Sequence, residues 1–119
     1  MPSTTTYKRG QVVVVNVPFS DQSGVKPRPA VVVSTDAFHR VLSDLVICPI
    51  SSQPQYHRRP SPGDYPLQEW RSAGLHHPST VRICKVLSVD KRILKRILGS
   101  LSHEDLAGVE ASLRQAFGL

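Results

Sequence analysis

Cysteines are scarce in this sequence, and their scarcity excludes several kinds of site. The 119 residues include only two, Cys48 and Cys84. No histidine or cysteine lies two to four residues from either one, so the ligand spacing of a zinc site is absent. Each cysteine stands inside an apolar, strand-like run, which favours buried free thiols in a reducing compartment. A disulfide between the two stays open but has no support in the sequence.

Long apolar segments are also missing. No run approaches the roughly 20 apolar residues of a membrane span. The first six residues, Met-Pro-Ser-Thr-Thr-Thr, lack the apolar core of a signal peptide. We therefore expect a cytoplasmic protein with no membrane partner. The length fits a single domain over 1–119, large enough to bury one core and small enough to gain from dimerisation.

Positive charge is what the chain has in excess. Lysine and arginine number 15 against 9 aspartate and glutamate residues, which gives a formal net charge of +6. This balance favours an anionic partner, either a nucleic acid or an acidic protein. It does not choose between them, because many soluble proteins are basic.

The apolar pattern predicts a mainly β domain. Valine-rich or isoleucine-rich runs over 11–17, 30–34 and 44–50 indicate three strands, with a turn at Gly10. Pro49 lacks an amide hydrogen, so the third strand should end, bulge or lie at an edge there. Weaker patterns predict further strands over 66–70 and 80–87, a short helical segment over 37–42, a helical turn over 90–94, and loops over 18–29 and 51–65.

One helix is clearly indicated at the C-terminus, over 102–118. Ser102 and Asp105 form a capping-box-like start, and Gly118 follows the end. The apolar residues repeat at helical spacing and favour core packing over binding; they are Leu106, Val109, Leu113 and Phe117. Short strands with a terminal helix suit a curled sheet or a small barrel.

Arg28 is the most informative single residue. It precedes Pro29 at the start of the second predicted strand, and the proline restricts it to extended conformations. Its guanidinium is a permanently charged fork that fits phosphate oxygens. The alternative interpretation is an arginine at a strand edge that pairs with a nearby carboxylate.

Six segments taken in order carry a family resemblance. Basic residues and a glycine precede the first strand, an arginine–proline pair enters the second, and hydroxyl residues end the third. Gly-Leu, Pro-Ser and Val-Arg pairs then follow, and two short pieces precede the last helix. The segments span 8–13, 26–34, 47–53, 73–82, 89–90 and 96–101. Together they resemble the MazF/PemK toxins of type II toxin–antitoxin systems.

This resemblance implies both a fold and an activity. The fold would be a PemK/CcdB-like, SH3-like barrel of antiparallel strands with a C-terminal α-helix, assembled as a homodimer. The activity would be that of a metal-independent endoribonuclease that cuts single-stranded RNA at short sequences, using no cofactor. In that chemistry the 2′-hydroxyl of the RNA attacks the adjacent phosphorus. A cognate antitoxin with an acidic tail would inhibit the toxin.

The resemblance also assigns residues. The catalytic arginine of the family matches Arg28, as phosphate clamp and possible proton donor. Its hydroxyl residue matches Ser51, with Ser52 as the adjacent alternative. Tyr56 precedes several basic residues, and stacking plus backbone charge is how single-stranded RNA is bound. The expected RNA-binding residues are Lys26, Ser52, Gln53, His57, Arg58, Arg59, Arg82 and Lys85.

The chain departs from the family pattern at two places. Some members carry an acidic residue two positions after the arginine that matches Arg82, and Cys84 stands there. The loop before Arg28 also differs from the common form. The general base is therefore not assigned by the resemblance. His57, His76 and His77 lie in predicted loops from which they could reach RNA.

Two other functions stay open at this point. A CcdB-like toxin of the same fold would act by binding a protein, and it would depend on the last three residues, 117–119. A degenerate member would bind only nucleic acid or its antitoxin, and the Cys84 departure keeps this possible.

Overall fold

The computed structural model describes residues 6–18 and 25–119. Their strands form one antiparallel sheet of seven, namely β1 (Gln11–Pro18), β2 (Val25–Val32), β3 (Asp44–Ser51), β4 (Tyr65–Pro66), β5 (Thr80–Val81), β6 (Leu87–Asp90) and β7 (Leu94–Ser100). The helices are α1 (Asp36–Val41), α2 (Pro54–Arg58) and α3 (His103–Phe117), with 3₁₀ turns at Ile83–Lys85 and Lys91–Ile93.

Strand β1 is second from one end of the strand order and pairs with β2 on one side and β7 on the other. Beyond β2 lies β3, whose far edge pairs with β6 near its start and with β5 at its end. β4 and β7 stand at the two ends of the strand order, so the described sheet has ends and is not a closed barrel. The expected mainly β fold with a C-terminal helix is confirmed.

The valine run of β1 is explained by burial on both faces of the sheet. Successive side chains of a strand point to opposite faces. Val12 packs into a cluster that includes Val109 of α3, whereas Val13 and Val15 pack into a second cluster with Val32 of β2. A strand covered on both sides has a continuous apolar run rather than an alternating one.

A buried carboxylate fastens α3 to the segment that begins with β4. The Asp105 side chain is fully buried. Its Oδ1 accepts hydrogen bonds from the Tyr65 hydroxyl at 2.8 Å and the Gln68 amide at 3.0 Å, and its Oδ2 accepts one from the Glu69 amide at 2.9 Å. Gly108 permits the close approach, because a Cβ there would overlap the Tyr65 ring. Asp105 therefore serves tertiary structure rather than a reciprocal capping box.

The second strand begins earlier than its sequence indicates. β2 starts at Val25, so Arg28 lies inside the strand opposite Val15, between Pro27 and Pro29. β3 pairs only with the last part of β2, from Ala30 onward. From Val25 to Pro29, the edge of β2 that faces away from β1 therefore has no ladder hydrogen bonds to β3 to make. Prolines are tolerated at such an edge. The expected loop over 18–29 is thus wrong at both ends, since Pro18 belongs to β1 and 25–29 to β2, and residues 19–24 lie outside the described part.

The third strand does not end at Pro49. It continues to Ser51, and Pro49 pairs with Ala30 of β2. The change occurs on the other edge, where β6 pairs as far as Ile47 and β5 begins at Ile50. Between them the Arg82 amide donates to the Pro49 carbonyl at 2.8 Å. This edge of β3 therefore keeps a hydrogen bond at Pro49, although proline has no N–H to donate.

Four other expectations are corrected. The predicted loop over 51–65 contains α2, and the strand expected over 66–70 is reduced to the two residues of β4. The strand expected over 80–87 is broken by a 3₁₀ turn, which leaves Cys84 exposed while Cys48 is buried. The segment after the 90–94 turn is the full strand β7.

The helices that were expected are present. α1 and α3 lie close to their predicted bounds, and Ser102 caps α3 by accepting a hydrogen bond from the Asp105 amide at 3.1 Å. Gly10 takes a left-handed conformation, with φ of 90°, in the expected turn. No helix in the described part of the chain has the length and apolarity to cross a membrane.

Removal of the Tyr65 hydroxyl should change how stability depends on pH. Burial, followed by the hydrogen bond and charge of Asp105, raises the pKa of Tyr65 from 10.0 to about 12. The folded protein holds this proton more tightly, so the stabilisation is complete below pH 10 and is lost as the pH rises towards 12. In Tyr65→Phe the free energy of unfolding should no longer fall for this reason between pH 10 and 12. Urea unfolding at several pH values in this range measures it.

Tyr7→Phe is the matched control and should keep the wild-type pH dependence. A Tyr65→Phe protein that loses stability as steeply as the wild type over the same window would contradict the role given to the Tyr65–Asp105 hydrogen bond.

Candidate functional site

A cleft of about 300 Å³ opens beside the outer part of β1, β2 and β7. Its lining combines apolar side chains with basic, imidazole and hydroxyl groups. None of its described lining residues is acidic. They are Val14, Pro27, Arg28, Pro29, Ser52, Gly74, Leu75, His76, His77, Ser79, Arg96 and Leu98.

Strand pairing determines part of this lining. Val14 of β1 pairs with Pro29 on one side and with Arg96 on the other, so these three side chains share one face of the sheet. Arg28 is the neighbour of Pro29 and borders the same cleft. Two arginines from strands on either side of β1 therefore border one space.

A close approach of two backbone segments positions another part of the lining. Gly74 has φ of 87°, and a Cβ there would overlap the Leu98 carbonyl oxygen of β7. Gly99 meets the Ala73 carbonyl oxygen in the same way, because a Cβ on Gly99 would lie only 2.8 Å from that oxygen. Only glycine allows two backbones to approach so closely at these positions. The segment after Gly74 is thereby held over β7, which brings His76 and His77 to the cleft.

Arg28 and Ser51 both lie just beyond the paired part of β2 and β3. The last pair of that ladder is Ala30 with Pro49, two residues from each of them. Ser51 is half-buried at the end of β3, and its Oγ accepts a hydrogen bond from the Gln53 amide at 3.2 Å. Ser52 is exposed and lines the cleft itself. The choice between the two hydroxyl groups stays a prediction.

The basic residues of α2 are presented by a docked helix rather than by a loop. The Tyr56 ring lies under the Arg82 guanidinium, 3.8 Å from ring centroid to Cζ. His57 donates through Nδ1 to the Ser79 carbonyl at 3.3 Å. These two contacts hold α2 against the chain around β5, while Arg58 and Arg59 remain exposed. Lys26, Gln53 and Lys85, the other expected RNA-binding residues, are exposed as well.

Arg82 is engaged within the protein. Its Nε donates to Oδ1 of Asp64 at 3.1 Å, and the Asp64 side chain is fully buried. Its Nη2 lies 3.5 Å from the Sγ of Cys84. Only 14% of the Arg82 side chain is exposed. A contact between Arg82 and RNA stays a prediction, but the contacts that the structure gives this arginine are structural.

The two cysteines lie in different environments. Burial, with a smaller contribution from nearby Cys84, raises the pKa of Cys48 to about 12, so this thiol stays protonated. Cys84 is exposed beside Arg82. Within residues 6–18 and 25–119, no group of three histidine, cysteine, aspartate or glutamate side chains is placed to hold a metal ion.

Sequence reasoning missed Arg96 as a cleft residue. It begins the family-like segment 96–101, but only the pairing of β1 with β7 brings it to the cleft. His76 and His77 did carry a signal, as histidines in a predicted loop, but their proximity to Arg28 was not indicated.

The fold places the chain in a class of small proteins that have an antiparallel sheet and a C-terminal helix. Solved structures of MazF toxins share this fold. An endoribonuclease in complex with its cognate antitoxin from a mycobacterial species matches with a TM-score of 0.77 at 22% identity, over 95% of this chain and 96% of that one. MazF from Deinococcus radiodurans matches with a TM-score of 0.74 at 24% identity, over 97% and 99%. Mycobacterium tuberculosis toxin MazF-mt6 matches with a TM-score of 0.73 at 18% identity, over 92% and 97%.

Because these identities are low, the similarity to solved structures shows only a shared fold. The family is identified from the sequence instead. The PemK-like, MazF-like toxins of type II toxin–antitoxin systems match residues 8–117. The chain belongs to this family, which confirms the resemblance drawn from its motifs. Comparison with curated protein sequences gives no significant match.

Loss of the Arg82 side chain should destabilise the fold. Arg82→Ala would leave the buried Asp64 carboxylate without its guanidinium partner, which costs on the order of 3 kcal/mol. Urea unfolding measures this loss. Arg71→Ala is the control, because Arg71 is exposed and stacks over Trp70 at 4.9 Å, a contact that contributes about 1 kcal/mol or less.

A second variant tests the mechanism of that loss. Asp64→Asn in the Arg82→Ala background removes the uncompensated charge, so the double variant should be less destabilised than the sum of the two single variants. Strict additivity would argue against the ion pair.

Proposed function

We propose that this family toxin is a metal-independent endoribonuclease that cuts single-stranded RNA at specific sequences. The observation that carries the proposal is the cleft bordered by Arg28, a guanidinium anchored between two prolines inside a strand. The described lining supplies positive charge and hydroxyl groups and no carboxylate, which suits a phosphodiester.

The reaction needs little covalent chemistry from the protein. The 2′-hydroxyl of the RNA attacks the adjacent phosphorus, and the negative charge on the phosphate oxygens grows in the transition state. A fixed guanidinium stabilises that charge without having to reorganise. Arg28 takes this role, and Ser51 or Ser52 donates a hydrogen bond to the phosphate or orients the 2′-hydroxyl.

RNA outside the scissile position would be held by exposed polar and basic side chains. They are Lys26, Gln53, Arg58, Arg59 and Lys85, together with the half-buried His57 and Arg82. A backbone bound by cations releases counterions, so binding should weaken as salt rises. Because Tyr56 is stacked on Arg82, it supports α2, and base stacking on it is limited to its other face.

The partners proposed for this chain are a second copy of itself and a cognate antitoxin. A MazE–MazF complex from Deinococcus radiodurans and the mycobacterial complex are among the similar structures. The net charge of +6 favours an acidic, partly disordered antitoxin tail that folds onto the cleft and excludes RNA. Ile97, 42% exposed on the end strand β7, is one apolar surface that a homodimer would cover.

Arg28→Ala should abolish RNA cleavage. Loss of one fixed group that stabilises the transition state costs about 10²–10³-fold in rate. The measurement is primer extension on a long single-stranded RNA incubated with each protein in EDTA. Arg40→Ala is the control, because it removes an exposed arginine from α1 and should cut at the wild-type positions and rate.

Undiminished cutting by Arg28→Ala would refute the assignment of the site. If Arg28→Ala stayed toxic to cells while removal of residues 117–119 ended toxicity, a CcdB-like, protein-binding toxin would replace the ribonuclease. Salt-sensitive RNA binding without any cutting by the wild type would identify a member that only binds.

An acidic antitoxin tail should compete with RNA for the cleft. A peptide from the acidic C-terminal tail of the antitoxin encoded beside this toxin is titrated into a complex of Arg28→Lys and labelled RNA, which keeps the charge and limits cutting. Fluorescence anisotropy should fall as RNA is released, and a scrambled peptide of equal charge should release less. RNA that stays bound at saturating peptide would rule out masking of the site.

A further inference from the structure

We propose that one imidazole of the His76–His77 pair is the proton acceptor for the 2′-hydroxyl. The assignment rests on the proposed ribonuclease activity and fills the role that the family resemblance leaves without a residue. Both histidines border the same cleft as Arg28, so a phosphate held by that guanidinium lies in the space that the two rings also border.

The step requires a group that can take a proton near neutral pH. The imidazole takes the proton of the 2′-hydroxyl as the 2′-oxygen forms its bond to phosphorus. The bond from phosphorus to the 5′-oxygen breaks, and that oxygen takes a proton from water. The imidazolium then returns its proton to the solvent, and the products are a 2′,3′-cyclic phosphate and a 5′-hydroxyl.

The other charged groups of the cleft cannot do this. In the described lining the titratable side chains are His76, His77, Arg28 of β2 and Arg96 of β7. Guanidinium groups stay protonated in proteins and offer no acceptor. The serine hydroxyls of the lining can donate or accept hydrogen bonds but are too weakly basic to take a proton from another hydroxyl.

The remaining described histidines are placed elsewhere. His39 is buried, with Nδ1 donating to the Tyr7 carbonyl at 2.9 Å and Nε2 at 2.6 Å from Ser34 Oγ. His57 lies on α2 and is hydrogen-bonded to the Ser79 carbonyl, and His103 is the first residue of α3. None of these three lines the cleft.

The pair is held by backbone contacts while its rings remain accessible. The approach of Gly74 to Leu98 sets the start of the segment, and the Ser79 hydroxyl donates to the His77 carbonyl at 2.7 Å. Both histidines are exposed, so either ring can meet RNA and exchange its proton with water.

The test is single-turnover cleavage by the double variant His76→Ala/His77→Ala in EDTA. General base catalysis contributes about 10²–10⁴-fold, and the rate should fall by that factor while RNA affinity and thermal unfolding change little. The single variants then show which ring carries the role. His103→Ala is the matched control and should cut at the wild-type rate.

Two readouts separate a proton acceptor from a residue that only shapes the cleft. Added imidazole should restore cutting by the double variant, and the rise in rate from acid to neutral pH should be lost from its profile. A substrate with sulfur in place of the 5′-oxygen needs no leaving-group protonation, so the double variant should stay slow on it.

Three results would overturn the assignment. The first is wild-type cutting by the double variant, and the second is a loss explained wholly by weaker RNA binding. The third is full rescue by the 5′-sulfur substrate, which would make the pair a proton donor instead. Failure of the wild type to cut any RNA would contradict the proposed function itself and, with it, this assignment.

Discussion

Strand β1 is paired along both edges and packed on both faces, and this arrangement positions the cleft residues of its neighbouring strands. Val14 has Pro29 beside it on β2 and Arg96 beside it on β7. Val12, Val13 and Val15 of β1 are fully buried in the core, so the strand keeps its register with its neighbours without a ligand. The backbone at Arg28 and Arg96, on the strands at its two edges, is therefore held in place by pairing with β1.

A second chain of contacts connects the C-terminal helix to the histidines. Asp105 of α3 binds the amides that follow β4, the next turn is closed at Trp70, and Gly74 then rests on β7. His76 and His77 come directly after. A buried carboxylate that accepts several hydrogen bonds fixes position strongly, because each donor would otherwise be left unpaired. The helix thus anchors the start of the segment that leads to the two histidines.

Arginines of identical chemistry have different roles here, and their surroundings decide which. Arg28 borders the cleft from within a strand, Arg82 is enclosed by Asp64 and the Tyr56 ring, and Arg58 reaches solvent from the end of α2. Motif matching treats Arg28 and Arg82 alike, since both follow a family pattern. The structure adds that Arg82 contacts the buried Asp64 carboxylate and the Tyr56 ring of α2. Arg82 therefore supports the helix from whose end Arg58 reaches solvent.

The sequence by itself determined the local elements and the likeness to a family. The valine runs, the capped helix α3 and the extended conformation of Arg28 arise from preferences that act over a few residues, so they could be predicted directly. Tertiary structure decided the early start of β2, the breaking of the strand expected over 80–87, and the presence of Arg96 and the two histidines in the lining of one cleft. These depend on pairings between residues far apart in the chain. A side chain's local sequence carries no record of which distant strand it will lie beside.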